Sequence, residues 1–250
     1  MASILDRYGI KEVADVTFYE IGNDGKPTNP VLYLDSLKVS TLEQTAESVY
    51  AQGGKGNPRL IGWDFGKEIT LSLEDALFSP KSMAIMFGNG KVENLGADAV
   101  IKKTITFKAG EDLKAPEQWI SPDGPKTIDA TGAQIYDAEG NTVAADEMTT
   151  GESYFYTFNV KVTGAEIVVG PNTFPGTYYI TGDTYARSEI TGDDEYFQFI
   201  VPKGKITSEN TITMEAEGDP SVFNLNVDVL RATIDGEQVM IKLVKYELAD

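Results

Sequence analysis

The chain has 250 residues with 21 Lys+Arg and 39 Asp+Glu, which gives a formal net charge of -18, and it contains neither Cys nor His. These absences exclude disulfides, thiol nucleophiles, Cys/His zinc sites and His-dependent catalytic triads, and the shortage of basic residues argues against tight binding of nucleic acid phosphates. A hydrophobic content of 41%, with 10% aromatic residues, still suffices for a folded core in one large domain or two small ones.

The first residues and the apolar runs show no membrane-targeting pattern. Residues 1–7 lack the basic segment and the long apolar segment of a secretory signal. Apolar stretches such as residues 83–87 are short, whereas a membrane helix needs roughly 20 residues. We therefore expect synthesis in the cytoplasm and no membrane partner.

Strand signals dominate the chain. Segments rich in β-branched and aromatic residues, several with period-two alternation and turn clusters at their ends, predict strands. In chain order they are residues 13–21, 31–39, 67–73, 100–107, 126–128, 133–136, 154–162, 166–169, 177–181, 196–201, 211–215, 222–230 and 239–246. Asp235-Gly236 is a typical hairpin turn, so we expect the last two strands to form a hairpin.

The clearest helical signal is in residues 79–88. Ser79 suits an N-cap, Pro80 the first helical position and Gly88 the end of the helix. The expected packing face consists of Leu77, Phe78, Met83, Met86 and Phe87. The polar segment 40–49 is interpreted as a loop or an extended segment.

The negative charge is distributed unevenly. Residues 1–110 carry 14 acids and 12 bases, a net charge of -2. Residues 111–170 carry 11 acids and 3 bases, and residues 171–250 carry 14 acids and 6 bases, so each of these segments contributes -8. The acidity therefore belongs to the second half of the chain.

A glycine-rich segment is formed by Gly53, Gly54, Lys55, Gly56, Asn57, Pro58 and Arg59. It does not match a phosphate-binding loop, because that motif ends in Gly-Lys-Ser/Thr at the start of a helix, and here a proline and a strand-like segment follow. We interpret it as a mobile loop that reaches a neighbouring molecule.

The other candidate sites are weaker. Five acids fall within thirteen residues and could bind Ca²⁺, although the EF-hand spacing is absent; they are Asp183, Glu189, Asp193, Asp194 and Glu195. Trp63 and Trp119 could stack on sugars, but packing is the usual role of tryptophan. No pattern marks a nucleophile with its base. We expect no enzyme activity, no cofactor and no dedicated metal site.

Two segments of the chain resemble the tail tube (major tail) proteins of long-tailed bacteriophages. The first comprises residues 47–71, ESVYAQGGKGNPRLIGWDFGKEITL, and residues 75–82, DALFSPKS. The second comprises residues 223–230, FNLNVDVL, and residues 240–246, MIKLVKY. The likeness extends over residues 10–108 and 177–250, and residues 109–176 are not covered.

The resemblance implies a mainly β subunit, a β-sandwich or partial barrel with one short helix, that closes into a homohexameric ring through strand pairing between subunits. Stacked rings would form a virion tail tube through which genome DNA passes without specific binding. Residues 1–108 and 177–250 would form the tube-like core, and residues 109–176 an acidic, loop-rich insertion or extension. The glycine-rich loop would contact the adjacent subunit or ring.

The implied partners are further copies of the chain and other tail proteins, namely the tape measure, the tail terminator and the baseplate or distal tail protein. Synthesis would take place in the cytoplasm of a bacterial host. Two alternatives remain open: another virion β-sandwich protein, such as a capsid decoration or head fibre protein, and a surface module that binds calcium or a glycan.

Overall fold

Two compact units make up the fold. The computed structural model describes residues 7–88, 90–209, 211–212, 214 and 222–248. Unit 1 comprises Met1–Val92 and Ile167–Asp250, and unit 2 comprises Glu93–Glu166. The chain is mainly β, as expected, and its described part contains one α-helix.

Unit 1 begins with five strands and the helix. They are β1 (Tyr8–Ile10), β2 (Asp15–Ile21), β3 (Pro27–Leu34), β4 (Leu37–Gln52), β5 (Arg59–Asp75) and α1 (Pro80–Phe87). The helix begins as the sequence predicts, because the Ser79 hydroxyl accepts a hydrogen bond from the Ser82 backbone N–H at 3.0 Å and Pro80 follows the cap. It ends at Gly88, whose N–H donates to the Ala84 carbonyl.

Unit 2 contains the next eight strands. They are β6 (Glu93–Asn94), β7 (Val100–Lys108), β8 (Gln118–Ser121), β9 (Gly124–Thr127), β10 (Asp129–Tyr136), β11 (Thr142–Val143), β12 (Ser153–Lys161) and β13 (Ala165–Glu166). A four-stranded antiparallel sheet has the order β11-β10-β12-β7. Unit 2 has its own small core. Alternate residues of β12 are buried in it, namely Tyr154, Tyr156 and Phe158.

Unit 1 is completed by six strands at the end of the chain. They are β14 (Thr177–Ser188), β15 (Asp194–Ile206), β16 (Phe223–Val229), β17 (Ala232–Ile234), β18 (Glu237–Val239) and β19 (Lys242–Tyr246). The main sheet has the order β3-β2-β14-β15-β16-β5-β4, with β1 beside β14 and β19 beside β15. All its pairings are antiparallel, and the sheet is not closed into a barrel.

One face of the main sheet forms the core of unit 1. Alternation along the strands buries residues such as Phe18, Leu71, Ile180 and Val227, each at most 1% exposed. On α1, Ile85 and Met86 are buried in the same cluster. Of the face expected for the helix, Met86 is buried and Met83 and Phe87 are half-buried. The exception is Leu77 and Phe78, which precede the helix and are 66% and 58% exposed.

Most predicted strands are present, but several bounds differ. Segment 31–39 is interrupted at residues 35–36, and segment 166–169 contributes only Glu166. Segment 177–181 is the beginning of β14 and segment 196–201 lies within β15, and both strands extend well beyond the predicted bounds. Segment 40–49 is strand throughout, because β5 pairs with it along its length. Segment 211–215 lies partly outside the described residues, and residues 211, 212 and 214 are not in a strand.

The expected terminal hairpin is wrong in its pairing. Asp235 and Gly236 do form a two-residue turn, with φ of 51° and 85°, but the turn joins the short strands β17 and β18. Segment 239–246 is divided between β18 and β19. β16 pairs with β5 and β15, and β19 pairs with β15.

The two units divide the chain at residues 92/93 and 166/167. The resemblance predicts another division, at residues 108 and 176, between a tube-like core and an acidic insertion or extension. That division stays a prediction. β7 lies in unit 2, where it pairs with β12 over nine residues.

Candidate assembly surface

The most prominent surface feature of unit 1 is the outer part of the β4–β5 hairpin, residues 43–68, which we call the arm. Every residue of the arm is exposed except Ala51 and Gly53, which are half-buried. Eight residues of β4, 45–52, lie beyond the last buried residue of β5, Ile69. At the usual rise per residue of a strand, this part of the hairpin is roughly 26 Å long.

One face of the arm is apolar. Residues directly opposite each other in an antiparallel pair share a face, and the register pairs Val49 with Trp63 and Ala51 with Ile61. Phe65 follows on the same face, opposite Glu47. We call Val49, Ala51, Ile61, Trp63 and Phe65 the apolar face. Four of these side chains, all but Ala51, are 52% to 56% exposed.

The opposite face of the arm is polar and ordered by its own contacts. The Ser48 hydroxyl donates a hydrogen bond to the Asp64 carboxylate at 2.6 Å. The ring of Tyr50 lies against Gly62, where a Cβ would approach its Cε1 to 2.9 Å. The guanidinium of Arg59 lies 4.1 Å from the centre of the Tyr50 ring. The side chains of this face therefore contact one another, whereas on the apolar face about half of each large side chain is exposed among the described residues.

A β-bulge near Gly66 sets which way the apolar face points. The register passes from Thr45–Glu68 to Glu47–Phe65, so β5 has one more residue here than β4. Gly66 has φ of +61°, a conformation that glycine adopts without strain. The extra residue reverses the alternation of β5. As a result, Trp63 and Phe65 lie on the side opposite Ile69 and Leu71, although all four have odd numbers.

The structure places the glycine-rich segment at the tip of the arm. Gly53, Gly54, Lys55, Gly56, Asn57 and Pro58 form the connecting loop, and Arg59 is the first residue of β5. The Gly53 N–H donates to the Pro58 carbonyl at 3.3 Å, and the Asn57 N–H to the Gly54 carbonyl at 3.1 Å. Gly54, Gly56 and Asn57 have positive φ.

The predicted contact between this loop and a neighbour stays a prediction, and the apolar face was not anticipated. Its signal is present in the sequence as Ile61, Trp63 and Phe65, three large apolar residues in strict alternation. The alternation is typical of a half-buried strand. It does not show that, among the described residues, about half of each of these side chains stays exposed.

Three of the acids considered for calcium binding each contact a different side chain. Arg187 donates two hydrogen bonds of 2.7 Å to the Asp194 carboxylate. They hold the pKa of the Asp194 carboxyl below its usual value. Lys245 pairs with Glu195, which raises the lysine pKa. Asp183 accepts a hydrogen bond from Gln198 at 2.7 Å. In the described part of the chain no three such side chains could hold a metal ion, so the geometry gives calcium no support.

The two tryptophans lie in different surroundings. Trp119 belongs to unit 2, where it is half-buried beside Phe158, with ring centres 6.2 Å apart. Trp63 lies on the apolar face of the arm and is 52% exposed. Packing accounts for Trp119, whereas the described residues leave about half of the Trp63 side chain exposed.

Comparison with protein families identifies the chain. The comparison with curated proteins gives no match. Among the described residues, no helix has the length and apolarity to cross a membrane. The model of the YomU/Tube protein family matches residues 8–242, a range that runs through both units and includes residues 109–176. The chain therefore belongs to the YomU/Tube family, a family of phage tail tube proteins.

Proposed function

We propose that this protein is the repeating subunit of a phage tail tube, assembling into stacked homohexameric rings that form a conduit for genome DNA. The observation that carries the proposal is the arm, which holds four large apolar side chains in water on one face. Exposed apolar clusters mark interaction surfaces, and a two-stranded hairpin is only marginally stable by itself. A neighbouring subunit would supply the missing layer.

The edges of the main sheet support ring closure by strand pairing. β3 and β4 are the two ends of the strand order. β3 contains Pro27 and Pro30, which lack the N–H that pairing needs. β4 contains no proline over its sixteen residues, so its outer edge, which has no partner strand in the described sheet, can accept a strand from another subunit. Head-to-tail contacts of this kind close into rings when the rotation fits.

The charge of the subunit suits a conduit for DNA. A net charge of -18 opposes binding to phosphates, so a wall that presents some of these acids would let the genome pass without being held. The partners proposed for the ends and the interior of the tube are the tail terminator, the baseplate or distal tail protein and the tape measure protein. In this proposal the subunit has a structural role and no catalytic one.

Electron microscopy of the purified protein tests the proposal. Negative-stain images at increasing concentration, with and without the tail proteins that initiate assembly, should show six-fold rings and tubes of uniform bore. A protein that remains monomeric under all these conditions would contradict the proposal. Isolated subunits bound to a capsid surface would favour a decoration protein instead.

Deleting residues 53–57 tests the predicted role of the loop at the tip. The loop is exposed, so the deletion should leave the monomer folded, with unchanged circular dichroism and urea midpoint. Tube formation should fail, because the loop is proposed to contact the next subunit or ring. Normal tubes from the deletion variant would show that the loop is not part of the interface.

A further inference from the structure

Unit 1 contains an apolar groove at the base of the arm. The groove has a volume of about 470 Å³ and is lined by residues of β1, β4, β5, β14, β15 and β19 and by residues 11–14, which connect β1 to β2. Its floor includes the buried core residues Leu71 and Phe199, which are 1% and 7% exposed. The groove is therefore an opening into the core of unit 1.

The division of the main sheet explains why the core is open here. β15 pairs with β19 through residues 196–200, but with β16 through residues 204–206. β16 leads on to β5 and β4, whereas β19 has no further strand beside it in the described sheet. The groove is lined from both parts, by Leu243 of β19 and Leu42 of β4.

The rim of the groove exposes apolar side chains. Ile10 is 57% exposed, Val39 42%, Leu42 38% and Leu243 59%. The basic side chains of Lys11 and Lys38 also line the groove, together with one acid, Glu12. In a chain with 39 acids and 21 bases, this surface is apolar with a basic margin.

We propose that this groove receives the apolar face of the arm of a second copy of the chain. The inference rests on the proposed function, because it names the surface to which the arm binds. The arm cannot fill its own groove, since Val39 and Leu42 of the groove lie on the same strand as the arm and the tip is directed away from them. Only another subunit can bring the two surfaces together.

The two surfaces also match in chemistry. Each of the two surfaces consists of large apolar side chains that are exposed to water in the single subunit. Glu47 lies opposite Phe65 at the base of the apolar face, where it can meet the basic margin of the groove. The contact joins different surfaces of two identical chains, so every added subunit presents a new arm and a new groove. Such a contact propagates along a stack.

Disulfide crosslinking tests the contact directly, because the chain has no cysteine of its own. We would introduce one cysteine in the arm, at Val49, Ile61 or Trp63, and one in the groove, at Ile10 or Leu243. Assembled tubes should give a ladder of covalent multimers on oxidation, which a reducing agent removes. The matched control places the second cysteine at Ile190, which is 66% exposed and outside the groove.

Crosslinks between the arm and the groove, and none to Ile190→Cys, are the expected result. Equal crosslinking to both positions, or none across the whole panel in assembled tubes, would overturn the proposal. A short bifunctional maleimide repeats the panel with a wider distance tolerance, since a disulfide requires Cβ atoms about 4 Å apart.

Charged groove variants separate this inference from the proposed function. Ile10→Glu and Leu243→Glu change exposed side chains, so the monomer should stay folded, and the critical concentration for tube formation should rise at least tenfold. Ile190→Glu should leave it unchanged. Normal assembly of both groove variants would disprove the groove as the acceptor while the tube function stands. Failure of the unaltered protein to form tubes would instead disprove the proposed function.

Discussion

At the scale of single residues, Gly182 has the least space for a side chain among the glycines that the structure describes. It lies in β14 directly opposite Phe199 of β15, and a Cβ there would lie 2.1 Å from two atoms of the ring. We expect Gly182→Ala to lower the free energy of unfolding by about 1–3 kcal/mol, or more, because the buried ring must move. Urea denaturation of the purified protein measures the change.

Gly9→Ala is the matched control for that substitution. Gly9 also lies in a strand of unit 1, and a Cβ there meets no atom within 4 Å. Its urea midpoint should stay close to that of the unaltered protein. Equal stability of the two variants would mean that the Phe199 ring can leave its position at little cost.

Tyr178 makes the stability of unit 1 depend on pH in the alkaline range. Burial, and after it the charge of Glu20, raises the pKa of this tyrosine above its usual value of 10.0. The neutral hydroxyl is therefore favoured in the folded state. The stability that the neutral Tyr178 hydroxyl contributes is fully present below about pH 10. It is lost as the pH rises through the higher pKa of the folded state.

Tyr178→Phe should flatten the decline in stability above about pH 10. Urea midpoints at several pH values between 8 and 11 measure the decline in the variant and in the unaltered protein. Tyr50→Phe, on the exposed arm, is the control and should decline like the unaltered protein. An unchanged slope for Tyr178→Phe would contradict a role for the buried hydroxyl.

At the scale of elements, the two faces of the arm offer a matched pair of substitutions. Trp63 lies on the apolar face and Asp64, the next residue, on the polar face. Trp63→Ser should raise the critical concentration for tube formation at least tenfold, because burial of an indole contributes several times RT. Asp64→Ser should change it little. Light scattering during assembly measures both, and an equal effect of the two substitutions would show that the faces are not distinct in function.

Local signals in the sequence predict most elements but not their pairing. The capping residues Ser79, Pro80 and Gly88 define α1 because they act within a few residues. The Asp235-Gly236 turn is correct for the same reason. The partners of β16 and β19 depend on contacts with β5 and β15, far away in the chain. No turn residue records such contacts, so the expected terminal hairpin was wrong.

The site was predictable only in part. The glycines of the tip mark a loop, and two of them, Gly54 and Gly56, have the positive φ that glycine adopts without strain. The length of the arm could not be derived, because β4 has polar residues that suit a loop equally well and becomes a strand by pairing with β5. The groove could not be derived at all, since it is assembled from six strands, namely β1, β4, β5, β14, β15 and β19, and from the segment 11–14.

At the scale of the whole molecule, the chain enters and leaves unit 2 at adjacent points. β6 pairs with β13 through Asn94–Ala165 and Glu93–Glu166, and the Leu95 N–H donates to the Gly164 carbonyl at 2.9 Å. A two-residue Asn-Gly turn can therefore replace residues 95–164 and join the paired strands. The shortened chain should unfold cooperatively and still form tubes, because the arm and the groove both belong to unit 1.

Denaturation and electron microscopy of the shortened chain check both expectations. A folded chain that no longer assembles would show that unit 2 takes part in the tube contacts. A chain that fails to fold would show that unit 1 depends on unit 2 for stability, contrary to its separate hydrophobic core.

The bulge at Gly66 has a consequence for how this chain tolerates change. Gly66 and Lys67 together face one residue of β4, so losing Gly66 altogether would restore a regular ladder and leave the apolar face where it is. Replacing it with valine keeps the surplus residue but disfavours the left-handed backbone that absorbs it. The pairing would then be driven to shift by one position, turning Trp63 to the other side. Here a deletion is the conservative mutation and a substitution the drastic one, an inversion of the usual rule.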